Sequence, residues 1–222
     1  MTGPAVAAAW DAEYAAGRYL GDAPVMFVRD IIRAARDARL TSGLYVGCGN
    51  GRNYLPLTAG GLDLTGLDLS AAALAQLAAR LAGARLVCGD LSCLAASAVF
   101  PLVIGIQVFQ HGDRATAHGQ LRRAAGHVAP GGLLCVRVNA AGTDVWPAHE
   151  ITERHADGGF TVRYLAGAKR GLQVRFFGEA ELAGLVAAGF APVLPLRVSR
   201  TRRVPPAPGQ WSQWEAIWRR VR

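Results

Sequence analysis

Lysine is almost missing from this sequence: of 24 basic residues, Lys169 alone is lysine and the rest are arginine. No apolar run approaches the roughly 18 residues of a membrane span. No basic start is followed by an apolar stretch, so a secretory leader is not expected either. The four cysteines (Cys48, Cys88, Cys93 and Cys135) lack the paired spacing of a zinc site. Buried free thiols in a reducing cytoplasm are the expectation, with no metal. There is no internal repeat and no separate nucleic-acid-binding module. Acidic residues number only 16, leaving a net charge of +8, and Arg197, Arg200, Arg202 and Arg203 cluster, as do Arg219, Arg220 and Arg222. Abundant alanine beside so much arginine points to GC-rich coding, which supplies part of the charge. A solvated basic face accounts for the clusters; an acidic substrate or nucleic acid is the sharper alternative.

What is present is a core. At 222 residues and 51% hydrophobic, the chain is read as one domain that needs no staples. Its organising stretch is residues 44–53, LYVGCGNGRN, where a short apolar strand (Leu44, Tyr45, Val46) stops in Gly47, Gly49 and Gly51. Glycines at alternate positions free the backbone for dihedrals closed to other residues and let a ligand approach the main chain. Amides at such a strand-to-helix bend can hold a polar or anionic group. A dinucleotide fingerprint, Gly-x-Gly-x-x-Gly, would want its third glycine at Arg52, and the pattern here differs.

Downstream, the order alternates. Residues 22–39 read as a helix capped by Asp22, with Pro24 in its first turn and Val28, Ile31, Ile32 and Ala35 on one face. A short helix over 53–58 ends at Gly60-Gly61, and a second strand over 62–69 delivers Asp68 at its end. Asp68 lies about 20 residues beyond the glycine loop, where Rossmann-type folds place a carboxylate on ribose hydroxyls. Ser70 caps a helix to Ala82, a third strand over 85–89 runs into Asp90, and a fourth over 99–106 runs into Gln107 and His111. Asp113 caps a helix to about His127, on which His118 and His127 are expected at a solvated face. The Ala129-Pro130-Gly131-Gly132 turn leads into a strand over 133–139. Residues 140–177 form an insertion: a polar, irregular patch with His149 and His155, then short strands over 160–165 and 172–177. A helix over 179–188 and strands over 193–199 and 214–221 close the chain, the last two joined through a proline-rich linker.

The glycine loop, Asp68 and Asp90 in register resemble motif I and its partners in the class I S-adenosylmethionine-dependent methyltransferases, over most of the chain from Asp22 onward. The resemblance implies an α/β Rossmann-like sandwich, with a mostly parallel seven-stranded sheet, a terminal antiparallel hairpin and helices on both faces. It implies S-adenosylmethionine as cofactor and S-adenosylhomocysteine as product. Carried over residue by residue, the cofactor-binding set is Gly47, Cys48, Gly49, Gly51, Asn53, Asp68 on the ribose, Leu69, Asp90 and Leu91 at adenine, and Gln107. Residues 1–21, with Trp10, Tyr14 and Tyr19, resemble the lid of small-molecule methyltransferases, although the aromatics would serve equally to staple this segment to the domain. One departure matters: where the family commonly has an acid holding the methionine amino group, this sequence has Tyr45. Tyr14, Tyr19, Arg18 or the Gln107 backbone are the candidates to compensate.

Candidate bases are His111, Tyr19, His149 and His155, His111 serving equally as a packing or capping residue. Trp10, Trp146, Phe160 and Tyr164 suggest an aromatic pocket or ordinary core. The reading is methyl transfer to a small-molecule acceptor through sulfur, oxygen or nitrogen, in the cytoplasm and without a membrane partner. Strand four ends Ile106-Gln107-Val108-Phe109, without the Asn/Asp-Pro-Pro-Tyr pattern of enzymes that methylate exocyclic amines on bases. The alternatives are a nucleic-acid methyltransferase, motivated by charge, and a non-catalytic S-adenosylmethionine-binding regulator, since fold does not settle function.

Overall fold

The computed structural model describes residues 4–167 and 169–221. Helices α1 (Pro4–Ala15) and α2 (Phe27–Asp37) lead into an alternating run. It comprises β1 (Ser42–Val46), α3 (Tyr54–Ala59), β2 (Asp63–Asp68), α4 (Ala71–Arg80), β3 (Arg85–Cys88), β4 (Phe100–Ile106), α5 (Arg114–Gly126) and β5 (Val128–Asn139). Strands β6 (His149–Arg154), β7 (Phe160–Tyr164) and β8 (Gln173–Phe176) interrupt it before α6 (Glu179–Val186), β9 (Phe190–Arg202) and β10 (Gln210–Arg220). The main sheet has seven strands in the order β3-β2-β1-β4-β5-β10-β9; β6, β7 and β8 form a separate antiparallel sheet. The first five strands of that order pair in parallel, and the β9–β10 hairpin runs antiparallel.

Alternation along β1 explains the two layers. Tyr45 faces a core with Phe27, Ile31, Leu57 and Leu77 from α2, α3 and α4. Leu44 and Val46 face the opposite core, with Leu121, Leu182 and Val186 from α5 and α6. Because β1 is flanked by β2 and β4, the crossover direction reverses there, and a crevice opens at the carboxyl ends of β1 and β4. The glycine loop, Asp68, Asp90 and Gln107 all follow strands at this edge. Among the described residues, no helix is long and apolar enough to cross a membrane.

Several local expectations need correction. The helix expected over 22–39 starts at Phe27 with Met26 as its N-cap, because Asp22 and Ala23 are engaged elsewhere: Arg52 bonds the Ala23 carbonyl and pairs with Asp22. The polar patch after residue 140 contains strand β6, which its mostly polar sequence, HEITER, concealed. β5 starts at Val128, with the Pro-Gly-Gly stretch as a register shift within it. His118 and His127 are buried: His118 Nε2 lies 2.6 Å from Glu181 Oε1 and His127 Nδ1 lies 2.7 Å from the Ala98 carbonyl. Cys48 and Cys135 are buried as expected, whereas Cys88 and Cys93 are exposed on the outer strand β3 and the turn after it.

Candidate active site

The crevice is a cavity of about 460 Å³, within the range usual for small-molecule sites. Its floor is built by the glycine loop. Gly47 N–H and Cys48 N–H both reach the Leu67 carbonyl at the end of β2, at 2.7 and 3.2 Å. Asp68 then ties the loop to the next helix: Oδ2 accepts from Gly49 N–H at 2.7 Å and Oδ1 accepts from Ser70 N–H at 2.9 Å. Burial raises the Asp68 carboxyl above the usual carboxylate range against the pull of these amides, and Asp11 adds to the rise. A carboxylate has about four lone-pair positions, so two N–H bonds leave others able to accept from hydroxyls.

The three glycines do different jobs. Gly47 and Gly49 have φ of +69° and +55°, and any side chain there would meet Val108 and the Tyr14 hydroxyl respectively. Gly51, with φ +96°, does not line the cavity; a methyl built on it would lie 2.6 Å from Leu77 Cδ1. Its smallness serves the packing of α4, so the cofactor role expected for it is not supported by its placement. Asn53 lines the cavity but commits its Oδ1 to Val25 N–H at 3.0 Å.

Asp90 lines the cavity and also caps the short turn after β3, its Oδ1 accepting from the N–H of Ser92 at 2.7 Å and from the Ser92 hydroxyl. Leu69, Leu91 and Gln107 line the cavity too. Gln107 has φ +60°, rare for a side-chain-bearing residue, and donates its N–H to the Arg137 carbonyl at 2.7 Å.

The roof is α1 and the turn behind it, with Trp10, Tyr14 and Tyr19 in the cavity wall. It is pinned rather than draped. Asp11 Oδ1 accepts from the Ser70 hydroxyl at 2.6 Å and Ala72 N–H at 3.0 Å, at the N-terminus of α4. Gln76 Nε2 donates to the Tyr14 carbonyl at 2.8 Å.

Of the candidate bases, His111 and Tyr19 line the cavity and His149 and His155 do not. His111 is half-buried in the cavity wall: desolvation, helped by Lys169, pushes its pKa down to about 3, and its Nε2 lies 3.2 Å from the Gln107 carbonyl. It is therefore neutral at pH 7 but a weak proton acceptor. Burial raises the Tyr19 phenol, so it stays protonated. Of the aromatic candidates only Trp10 lines the cavity; Trp146 is exposed, and Phe160 and Tyr164 belong to the small core of the β6–β8 sheet. Tyr45 is buried and stacked on Tyr54, with centroids 6.3 Å apart. Arg18 pairs with Glu13 at 3.0 Å and is not in the wall.

Asp22 and Arg52 are wall residues that sequence reasoning did not single out for the site. So are Lys169, from the insertion, and Trp211, from β10. The signal for Lys169 was available: it is the only lysine. Nothing in the linear order marked Trp211.

A strand-to-helix glycine loop joined to an acid at the end of the next strand, roofed by a helix, is a Rossmann-like arrangement for a ligand at the sheet edge. Residues 44–132 match the family model described as a methyltransferase domain. The match takes in the glycine loop, Asp68 and Asp90 and ends at Gly132, before the insertion and the β9–β10 hairpin.

Solved structures share its fold. An N1-methyltransferase from Burkholderia thailandensis, solved with 1,6-didemethyltoxoflavin and S-adenosylhomocysteine, is 22% identical with a TM-score of 0.64, covering 100% of this chain and 92% of its own. An amino pentose methyltransferase from Micromonospora echinaspora, solved with S-adenosylmethionine, is 20% identical with a TM-score of 0.60, over 94% and 96%. A sugar N-methyltransferase from Streptoalloteichus is 23% identical with a TM-score of 0.56, over 91% and 90%. No curated protein matches the chain.

The placement of Gly51 has a direct check. Gly51→Ala is expected to lower stability by about 1–3 kcal/mol through overpacking against Leu77 and a strained φ, while S-adenosylhomocysteine affinity in the folded variant stays near that of the native protein. Thermal unfolding and calorimetric titration read the two separately. Weakened affinity at unchanged stability would return Gly51 to the ligand.

Proposed function

We propose that the cavity holds S-adenosylmethionine along the sheet edge and that the methyl acceptor is a small molecule entering beneath the α1 lid. The observation that carries this reading is the convergence of the Gly47–Gly49 bend, Asp68 and Asp90 on one covered cavity. In this reading Asp68, half-buried and with lone pairs to spare, accepts from the ribose hydroxyls. Asp90 Oδ2, which has no hydrogen bond within the described residues, accepts from the adenine amino group, with Leu91 against the ring. Cys48 contributes backbone only, since burial pushes its thiol far above the range in which a thiolate forms.

At the methionine end, the Asp22–Arg52 pair takes the place of the missing acid. Its charges, 3.3 Å apart in the cavity wall, match an ammonium and a carboxylate respectively. The Tyr19 hydroxyl lies within electrostatic range of both and can add a hydrogen bond.

Bound S-adenosylmethionine supplies a methyl group on a sulfonium, a good leaving group. The protein's part is alignment and exclusion of water. Trp10 and Tyr14 exclude solvent from above, and neutral His111 orients the acceptor while its pKa argues against proton removal at pH 7. No other basic group is required for an acceptor that is already nucleophilic.

Three of the clustered arginines are engaged within the fold, which supports the small-molecule reading; Arg222 lies outside the described residues. Arg197 pairs with Glu215 at 2.9 Å and with Asp30; Arg203 donates to the Asp144 carbonyl and stacks on Trp211; Arg220 donates to main-chain carbonyls of Gly126 and Val128. The neighbours act on small or sugar-containing molecules by their printed names, which supports the small-molecule reading. S-adenosylhomocysteine at 100 times its Kd is expected to stabilise the fold by about 2.7 kcal/mol, read as a rise in Tm. No rise with either form of the cofactor would sink the reading. Transfer of a labelled methyl group to small acceptors then separates an enzyme from a binding regulator.

A further inference from the structure

Lys169 stands on the turn between β7 and β8, the part of the insertion that reaches back to the cavity. The turn is held there by its own main chain: Gly171 N–H bonds the Tyr164 carbonyl at 2.8 Å and Leu172 N–H bonds the Lys169 carbonyl at 2.9 Å. Lys169 lines the same cavity as Trp10, His111 and Trp211, within electrostatic range of His111. Among the described residues, no carboxylate lies within ion-pair distance of it. Glu13 is in electrostatic range, but its carboxylate is engaged by Arg18 at 3.0 Å. Arg203, also in range, adds positive potential. Burial lowers the Lys169 pKa, Glu13 opposing and Arg203 reinforcing the shift. Lys169 is half-buried, and a partly desolvated cation without a partner is destabilising. A cation aimed into a ligand cavity finds its partner in the ligand.

We propose that Lys169 recognises the methyl acceptor, and that the acceptor is a small organic acid with a planar body whose negative group meets the Lys169 ammonium between the apolar walls of Trp10 and Trp211. The inference rests on the cofactor occupying the Asp22–Asp68–Asp90 side of the same cavity. Neutral His111 beside Lys169 suits this division, since a second cation there would be redundant and an anion would repel. An acceptor of this kind carries its own electron-rich atom, consistent with a site that has no strong base.

The test uses the full chain saturated with S-adenosylhomocysteine, titrated with paired probes: benzoate against benzamide, salicylate against salicylamide, and phenylacetate against phenylacetamide. Quenching of tryptophan fluorescence reports binding. At least one acid is expected to bind about tenfold or more tightly than its amide, as a charge-assisted hydrogen bond requires. Lys169→Met should erase that preference, Lys169→Arg should keep most of it, and neither should change S-adenosylhomocysteine affinity. Acids that bind no better than their amides would overturn the proposal, as would a preference surviving in K169M. Weaker S-adenosylhomocysteine binding by K169M would assign the lysine to the cofactor and overturn it too. Failure of the native protein to bind S-adenosylhomocysteine would instead strike the cofactor reading.

Discussion

Replacing Asp68 with alanine is expected to weaken S-adenosylhomocysteine binding by about 10- to 150-fold, the equivalent of roughly 1.5–3 kcal/mol for hydrogen bonds to a charged group. Two losses combine. The variant has no acceptor for the ribose, and it releases Gly49 N–H and Ser70 N–H, which the carboxylate now holds at 2.7 and 2.9 Å. Asp68→Asn separates them. An asparagine presents one acceptor oxygen and one NH2 group, so it can satisfy Gly49 or Ser70 but turns a donor toward the other. It is therefore expected to behave closer to alanine than to aspartate. Circular dichroism and thermal unfolding establish that each variant is folded, and calorimetry gives the affinity. An Asn variant that binds as the native protein does would remove the carboxylate from the proposed site.

The largest expected effect on stability lies away from the cavity. Glu181 is the hub of a polar cluster under α5 and α6. Its carboxylate accepts from Arg175 Nη2 through both oxygens at 2.8 Å, from Arg114 Nε at 3.1 Å and from Gly178 N–H at 3.1 Å, with His118 Nε2 at 2.6 Å. Arg175 is fully buried on β8. Glu181→Ala leaves that guanidinium charged, dry and unpaired, and should cost about 3–5 kcal/mol. Against a total of about 5–15 kcal/mol for a domain, this is a large fraction. Glu181→Gln keeps an acceptor for Arg175 and should cost less. Urea unfolding reads the difference, and an alanine variant within about 1 kcal/mol of the native protein would show that water re-solvates the cluster.

His118 and Glu181 of this cluster, with His111 in the cavity wall, set a pH dependence. Burial lowers the His118 pKa, outweighing its hydrogen bond to Glu181, and burial holds His111 near 3. Each is neutral in the folded state where the unfolded chain would already bind a proton. Their contribution is complete above about pH 6.5 and fades as pH falls toward the folded values. Burial opposes the Glu181 carboxylate, but the bonds from Arg175 and His118 win and hold its pKa below the usual value. Its contribution is present above about pH 4.5 and is lost below that, so acid acts on the cluster in the same direction twice. Urea midpoints that stay level from about pH 7 to pH 4 would contradict this.

The alternation of strands and helices was readable because each strand ends in residues that cannot continue it. Gly47, Asp68 and Asp90 follow apolar runs at the spacing of successive β-α units, and caps such as Ser70 and Asp113 bond their own N3 amides, Ala73 N–H and Thr116 N–H. These are local events, decided within a few residues of chain. Three of the corrected expectations share one cause. The start of α2, the burial of His118 and the strand β6 each depend on a partner outside their own segment: Arg52 for Ala23, Glu181 for His118, and the neighbouring strand β7, with Val162 across from Ile151.

Local chemistry therefore dictated where strands stop and which acids stand at one sheet edge, because a glycine bend and a capped helix need only their neighbours. Tertiary packing alone decided the division of labour at that edge. It sent Gly51 into the core and left Gly49 beneath Tyr14, and it brought Asp22 against Arg52 and Lys169 into one cavity with His111 and Trp211. Such pairings join residues separated by long stretches of chain, and only a closed core brings their side chains within reach.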